Sequence, residues 1–315
     1  MLTVRLETVT PLFLAGADPR GAPELRAASV RGALRFWLRA LLGGVIGDKD
    51  LNALRKAEAA VFGSTDTGAS PVVVRIDGEV QFDAYRPLLH NPAKQFTFSG
   101  IKPDQTFSLE LVPRLPHTQV SPVVLSVTAL WLLLGGLGKR SRRGFGTLRL
   151  QKDVEGLPLK PDAYRDTESF ENALQQTIEK ALGEIKNYIS TLEIIHGASS
   201  NPPEFPILHP DHTKIILCKH PFPTWEHAMK NFWGLLRSND YRDNSVFGYA
   251  GSAGRQASPL HLRIVKIEKN YHLLMTAFRS RFAGSPPNWT SIRNFLHDCR
   301  QKWQGTWIMG GSAAW

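Results

Sequence analysis

The strongest constraint on this 315-residue chain is that part of it occurs twice. "VFGSTDTGASPVVVRI" (Val61 to Ile76) is matched by "VFGYAGSAGRQASPLHLRI" (Val246 to Ile264). Each copy has Val-Phe-Gly, a glycine-containing loop, Ala-Ser-Pro and a run ending in Arg-Ile. Upstream of each lies an apolar segment carrying Phe-Trp, at Phe36 with Trp37 and at Phe232 with Trp233. Two features recurring in one order argue for two related units.

The hydrophobic period gives each unit its elements. "LTVRLETV" alternates as a strand. Ser29 is placed to cap a helix over "VRGALRFWLRALL", and "DLNALRKAEAAVF" is a second helical piece that stops at Gly63. "SPVVVRID" and "TFSLELV" read as strands. Ser121 followed by Pro122 starts a helix that Gly135 and Gly136 end, and "FGTLRLQ" is a closing strand. The order is β-α-β-β-α-β, so the predicted fold class is α+β, with ferredoxin-like, RRM-like βαββαβ domains in tandem. An amphipathic helix, "ESFENALQQTIEKALGEIKNYISTL", bridges to a Pro-rich stretch. The order then repeats through "TKIILCK", "PTWEHAMKNFWGLLRS", the hairpin "SPLHLRIVKI" with "NYHLLMTAFRS", "PPNWTSIRNFLHDCRQKW" and "GTWIMGG". The expected division is 1–155, 156–212 and 213–315.

Lys and Arg outnumber Asp and Glu by 38 to 28, a formal charge of +10. That excess suits a polyanion, though solubility alone explains it equally well. Cys218 and Cys299 imply no disulfide framework. The N-terminus lacks the order of a signal peptide, and "VVLSVTALWLLLGGLG" is broken by glycines before membrane-spanning length. The expectation is a cytoplasmic protein with no membrane partner.

The charge is concentrated in "GGLGKRSRRGFGTLRL", from Gly135 to Leu150. Lys139, Arg140, Arg142 and Arg143 fall within five positions, with Ser141 among them and Phe145 just beyond. Glycines allow positive φ and close approach of a phosphate, and arginine offers a forked donor. The loop follows a helix C-terminus, which attracts no anion, so binding must come from side chains and exposed amides. "RGFGTLRL" resembles the RRM pattern of basic-Gly-aromatic-Gly before a strand, but Thr147 and Leu150 stand where it wants aromatics. A solvated charged turn is the competing reading.

Arg31, Arg35 and Arg39, spaced i, i+4, i+8, share one helical stripe. An anionic partner would relieve their repulsion; otherwise the stripe is simply an exposed basic face. Trp37 reads as core. The glycine-rich stretch from Phe247 to Gln256 lacks P-loop spacing, and Arg255 is an open RNA contact. His209, His212, Cys218 and His220 fit no standard zinc spacing, and no metal or other cofactor is expected. His90 and His117 lie beside prolines with no nucleophile or carboxylate completing a constellation.

"TPLFLAGAD…ELRAASVRGALRFWLRAL…AEAAVFGS…ASPVVV" resembles the opening of the RAMP-superfamily subunit-one family of type III-B (Cmr) CRISPR effectors. "GKRSRRGFGTL" resembles the RAMP glycine-rich loop, and "VFGYAGSAGRQASPLHLRI" that family's second-domain signature. The resemblance implies two ferredoxin-like domains at one end of an RNA-guided complex. Its implied partners are the other RAMP subunits, the 3′ part of a guide RNA and single-stranded target RNA, in antiviral defence. Ser29, Arg31, Gly32, Arg35 and Trp37 occupy the first motif, and Gly138 to Gly146 the loop. "WQGTW" stands where the second domain would carry a basic loop. Cleavage is implied to belong to other subunits, so the expectation is a non-catalytic binding subunit. The alternative is a metal-independent RAMP endoribonuclease of the guide-processing kind, with His117 as general base.

Overall fold

The computed structural model describes all residues except 17, 19–20, 90–94, 239, 242–244, 252–253 and 283–286. The first half runs β1 (Leu2–Thr8), α1 (Ala27–Ile46), α2 (Leu51–Phe62), β2 (Val72–Asp77), β3 (Phe82–Tyr85), β4 (Phe98–Ile101), β5 (Thr106–Pro113), α3 (Pro122–Leu134) and β6 (Leu148–Leu150). After a 3-10 turn at Pro161–Tyr164, α4 (Thr167–Thr191) crosses to the second half. There follow β7 (Thr213–Phe222), α5 (Trp225–Leu236), β8 (Tyr249–Gly251), β9 (Gly254–Gln256), β10 (Leu260–Ile267), β11 (Asn270–Phe278), α6 (Trp289–Lys302) and β12 (Gly305–Met309).

The main sheets have the orders β2-β5-β1-β6 and β10-β11-β7-β12, all pairs antiparallel. In βαββαβ terms both read second, third, first, fourth, which is the ferredoxin-like arrangement. The repeat has a steric reason. Gly63 and Gly248 hold φ of 70° and 91°, and a Cβ there would lie 2.5 Å from Ser70 N and 2.7 Å from Ser258 N respectively. Each Val-Phe-Gly thus lets the returning Ala-Ser-Pro segment come against it, where a side chain would clash.

Helix α3 is apolar on every side because it is covered on every side. It belongs to one core with β1, β5, α1 and α4. Ser121 Oγ accepts from Val124 N at 3.3 Å, with Pro122 at the first helical position, as the sequence predicts. Ser29 differs. Helix α1 begins at Ala27, with extended Arg26 at its boundary and no side-chain cap, so Ser29 lies inside the first turn. Two alanines, the best helix formers, carry the helix past the serine. The small hairpins β3–β4 and β8–β9 were not expected either, since their strands have only three or four residues and β3 is largely exposed.

The two halves share buried surface. Ile215, Leu217, Val265, Ile267, Leu274 and Phe278 of the second sheet belong to the first core. In return Phe13 and Phe145 belong to the second, with α5 and α6. The seam between them carries the glycine-rich loop.

Candidate nucleic-acid interface

The loop from Gly135 to Thr147 is a fixed structure. Leu137 N donates to Gly146 O (2.9 Å), Lys139 N to Phe13 O (2.8 Å) and Gly146 N to Pro11 O (3.0 Å). Arg143 N donates to Arg140 O (2.8 Å). Gly146 has φ of 66°, and a Cβ there would overlap the Leu137 carbonyl. The outer turn docks on the second half: Gly144 N donates to Leu262 O and Leu262 N to Arg142 O, both at 3.0 Å. Residue 143 thereby bridges in parallel to β10, the edge strand of the second sheet. These five loop amides are therefore engaged inside the protein. The expectation that exposed amides would share in anion binding is corrected to that extent, and the side chains carry the capacity.

Three of those side chains, Arg140, Arg142 and Arg143, are half-buried arginines without an acidic partner among the described residues. Burial pulls all three below the ordinary arginine range; for Arg143, Arg140 and Arg237 add to the effect. Aromatic faces hold two of them, and Lys139, in place. Arg142 sits over Phe36 at 5.3 Å, Arg143 over Trp233 at 5.1 Å and Lys139 over Phe98 at 5.4 Å. Phe36 and Trp233 come from the two copies of the repeated Phe-Trp pair, so the duplication brackets the loop. Beside it is a cavity of about 230 Å³ lined by Ser29, Phe36, Gly138, Ser141, Arg142 and His261, among others. Burial, with Arg142 nearby, holds His261 well below the usual histidine range, so it is neutral at pH 7.

Helix α1 divides the sequence-derived residues. Ser29 and Phe36 face the loop, and Trp37 is buried as expected. Arg35 and Arg39 line a different cavity with Glu58. Arg35 Nη1 meets Glu58 Oε1 at 2.5 Å, while its Nη2 donates to Phe62 O (2.7 Å) and Gly63 O (2.6 Å). Arg39 binds Glu58 through Nε (2.6 Å) and Nη2 (2.9 Å). The anion relieving this stripe is thus a carboxylate of α2. Arg31, at the stripe's start, is exposed. Phe145 also requires correction as an RNA contact. It is 1% exposed, 4.9 Å from Phe13 and 6.1 Å from Trp225, with no free face for a base.

The remaining candidates lie apart. His117 is exposed, ahead of the N-terminus of α3, whereas the loop follows its C-terminus. Thirteen helical residues separate the two ends by about 20 Å, so His117 is not beside the loop. His90 lies outside the described residues. Cys218 is buried, its thiol pushed up to about 12 by desolvation, while His220 is exposed. Among the described residues no group of three or more His, Cys, Asp or Glu could hold a metal, and no helix is long and apolar enough to cross a membrane. In the second half only Trp303 and Gln304 separate α6 from β12, leaving no counterpart of the basic loop.

Sequence reasoning missed two arginines of the second half. Arg237 is exposed at the end of α5, one turn after Trp233, and adds its charge beside Arg143. Arg263 on β10 is 3% exposed and reaches into the first half, donating to the carbonyls of Leu132, Gly135 and Leu148. Its place in the repeated Arg-Ile was the available signal, but the periodicity of β10 says nothing about what a buried arginine reaches.

A duplicated ferredoxin-like fold with a glycine-rich loop after the second helix is the RAMP arrangement, and residues 5–149 match the RAMP superfamily. The chain is 34% identical over 179 residues to CRISPR system Cmr subunit Cmr1-2 of Pyrococcus furiosus, covering 46% of this chain and 92% of that protein. The chain belongs to the Cmr1 family. The crystal structure of Cmr1 from P. furiosus (apo form) superposes with a TM-score of 0.68 at 22% identity, covering 98% of this chain and 99% of that one. A chain of the type III-B Cmr-beta complex bound to cognate target RNA gives 0.64 at 12% identity, over 95% and 98%.

Proposed function

We propose that this protein is a non-catalytic RNA-binding subunit of a type III-B CRISPR effector complex. It works docked to other RAMP subunits, holds the 3′ part of the guide RNA and takes part in capturing single-stranded target RNA in antiviral defence. The observation that carries the reading is the set of three half-buried arginines without carboxylate partners among the described residues, displayed on one rigid loop. Burying a cation is costly unless it is paired, and a phosphate supplies the missing partner bidentately. The contacts assigned to RNA are Lys139, Arg140, Ser141, Arg142 and Arg143, with Ser29 and Arg31 at the start of α1 and Arg237 from α5. Kinship with a Cmr subunit, and likeness to a chain of a complex bound to target RNA, support the assembly and the polymer. The separation of His117 from the loop favours binding over guide-processing cleavage.

Phosphate contacts release counterions, each adding about 0.7 to the slope of log affinity against log salt for single-stranded RNA. Replacing Arg140, Arg142 and Arg143 together by Gln, which keeps a planar group over Phe36 and Trp233 at the latter two, should flatten that slope by about 2. Circular dichroism checks the fold. An unchanged slope in the folded variant would move the RNA surface elsewhere.

A further inference from the structure

A ladder of aromatic rings leads from the core out to solvent beside Lys139. Phe145 and Phe13 are each 1% exposed with ring centroids 4.9 Å apart. Phe98 stands edge-on to Phe13 at 5.6 Å, and Phe96 edge-on to Phe98 at 5.5 Å. Phe96 ends the ladder 43% exposed. Phe13, Phe98 and Phe96 line, with Ala15, Gly21, Thr97, Ser99 and Lys139, a cavity of about 380 Å³. Lys139 ties this cavity to the loop, since its amide bonds Phe13 O and its ammonium lies over the Phe98 ring.

We infer that this cavity takes an unpaired nucleobase of the RNA whose backbone lies on the glycine-rich loop, with Phe96 as the stacking face. The inference rests on the phosphate-binding reading of the loop and adds a contact to the bases. An open ring next to a cation, at the end of a rigid aromatic stack, offers a base a π-face while the ammonium is within reach of the adjoining phosphate. Thr97 and Ser99 bring hydroxyls to the same cavity, able to donate to or accept from a base edge. The aromatic of the RRM-like pattern, Phe145 ahead of β6, is covered. The available aromatic is instead on the segment leading into β4. A docked protein segment would also cover Phe96, but the cavity adjoins the loop assigned to phosphates, which favours the RNA itself.

The test compares two single-stranded RNAs with equal numbers of phosphates, one oligoadenylate and one carrying abasic sites at its centre. The wild-type chain should bind the base-bearing RNA more tightly. Phe96→Ala should lose about five- to hundredfold in affinity for it while keeping the salt slope, and Phe96→Trp should keep the affinity. Phe96 is at the surface, so both variants should fold, and circular dichroism checks this. Photolysis of a 5-iodouridine RNA should crosslink the peptide containing Phe96. Equal binding of the two RNAs, with Phe96→Ala unchanged and the salt slope intact, would overturn the pocket and leave the loop reading standing. Absence of any salt slope in the wild type would overturn both.

Discussion

At the scale of single residues, Arg142 and Arg143 are held by stacking on Phe36 and Trp233 where ion pairs would be usual. Each cation–π contact contributes about 0.5–2 kcal/mol, depending on desolvation, which offsets part of the loss of water. Arg140, which lies over no ring among the described residues, has a φ of 60°, sparsely populated for a side-chain-bearing residue. Beneath them lies His261, whose ring is 5.2 Å from Phe278 and 5.6 Å from Phe36. Burial, then Arg142, keeps it neutral in the folded chain. As pH falls through the ordinary histidine pKa of about 6.5, the unfolded chain takes up a proton that the folded one refuses. Stability is therefore present above that pH and lost below it, by at most about 1.4 kcal/mol per pH unit for this one group. His261→Gln should lose less stability than wild type between pH 7 and 5.5, as read from urea midpoints. Equal losses would mean that His212 and His272, also lowered chiefly by burial, account for the acid sensitivity. The loop cations were legible because charge density and glycine are local properties of a sequence. The burial of Phe145 was not, because Phe13 and Trp225, which cover it, are far away in the chain.

At the scale of elements, α1 is a helix with two working faces. One carries Ser29 and Phe36 to the loop, and the other clamps α2 through Arg35 and Arg39 on Glu58. Burial alone would raise the Glu58 carboxyl, but the bonds from Arg39 and Arg35 outweigh it and hold it below the usual range. Arg35 also satisfies the carbonyls of Phe62 and Gly63, end groups of α2 that no intrahelical donor reaches. A stripe at i, i+4, i+8 was visible in the sequence, but the identity of its anion was not, since Glu58 meets it only when α2 folds back. Glu58→Ala should therefore lower stability by about 1–3 kcal/mol, in urea unfolding, and leave the salt slope of RNA binding unaltered. A steeper slope, from guanidiniums freed to bind phosphate, would return Arg35 and Arg39 to the RNA surface.

At the scale of the whole molecule, the duplication was legible from Val-Phe-Gly and Ala-Ser-Pro, but the sharing of one site by both halves was not. Repeats announce similar units and say nothing of the seam between them. That seam is fixed by the loop backbone on the β10 edge and by Arg263 below it. Arg263 is buried and its pKa is pulled down to about 10, chiefly by desolvation, yet it remains charged at neutral pH. It has carbonyls at the C-terminal end of α3 as acceptors, where the helix end is itself partly negative. Arg263→Met keeps the bulk and removes the donors, leaving the carbonyls of Leu132, Gly135 and Leu148 without them. Each carbonyl so abandoned costs about 1–3 kcal/mol if no water replaces the donor, so a fall in the urea midpoint is expected. Because Gly135 opens the loop, the same change should free the amides of Leu137, Gly144 and Gly146 to exchange faster. RNA affinity should drop with them, although Arg263 is buried away from the RNA. Hydrogen exchange on the full chain separates this coupling from a general loss of stability. Faster exchange confined to the loop, under conditions where the β7 amides remain protected, is the expected result. Loop protection equal to wild type in the folded variant would show that the two halves hold the loop independently of Arg263.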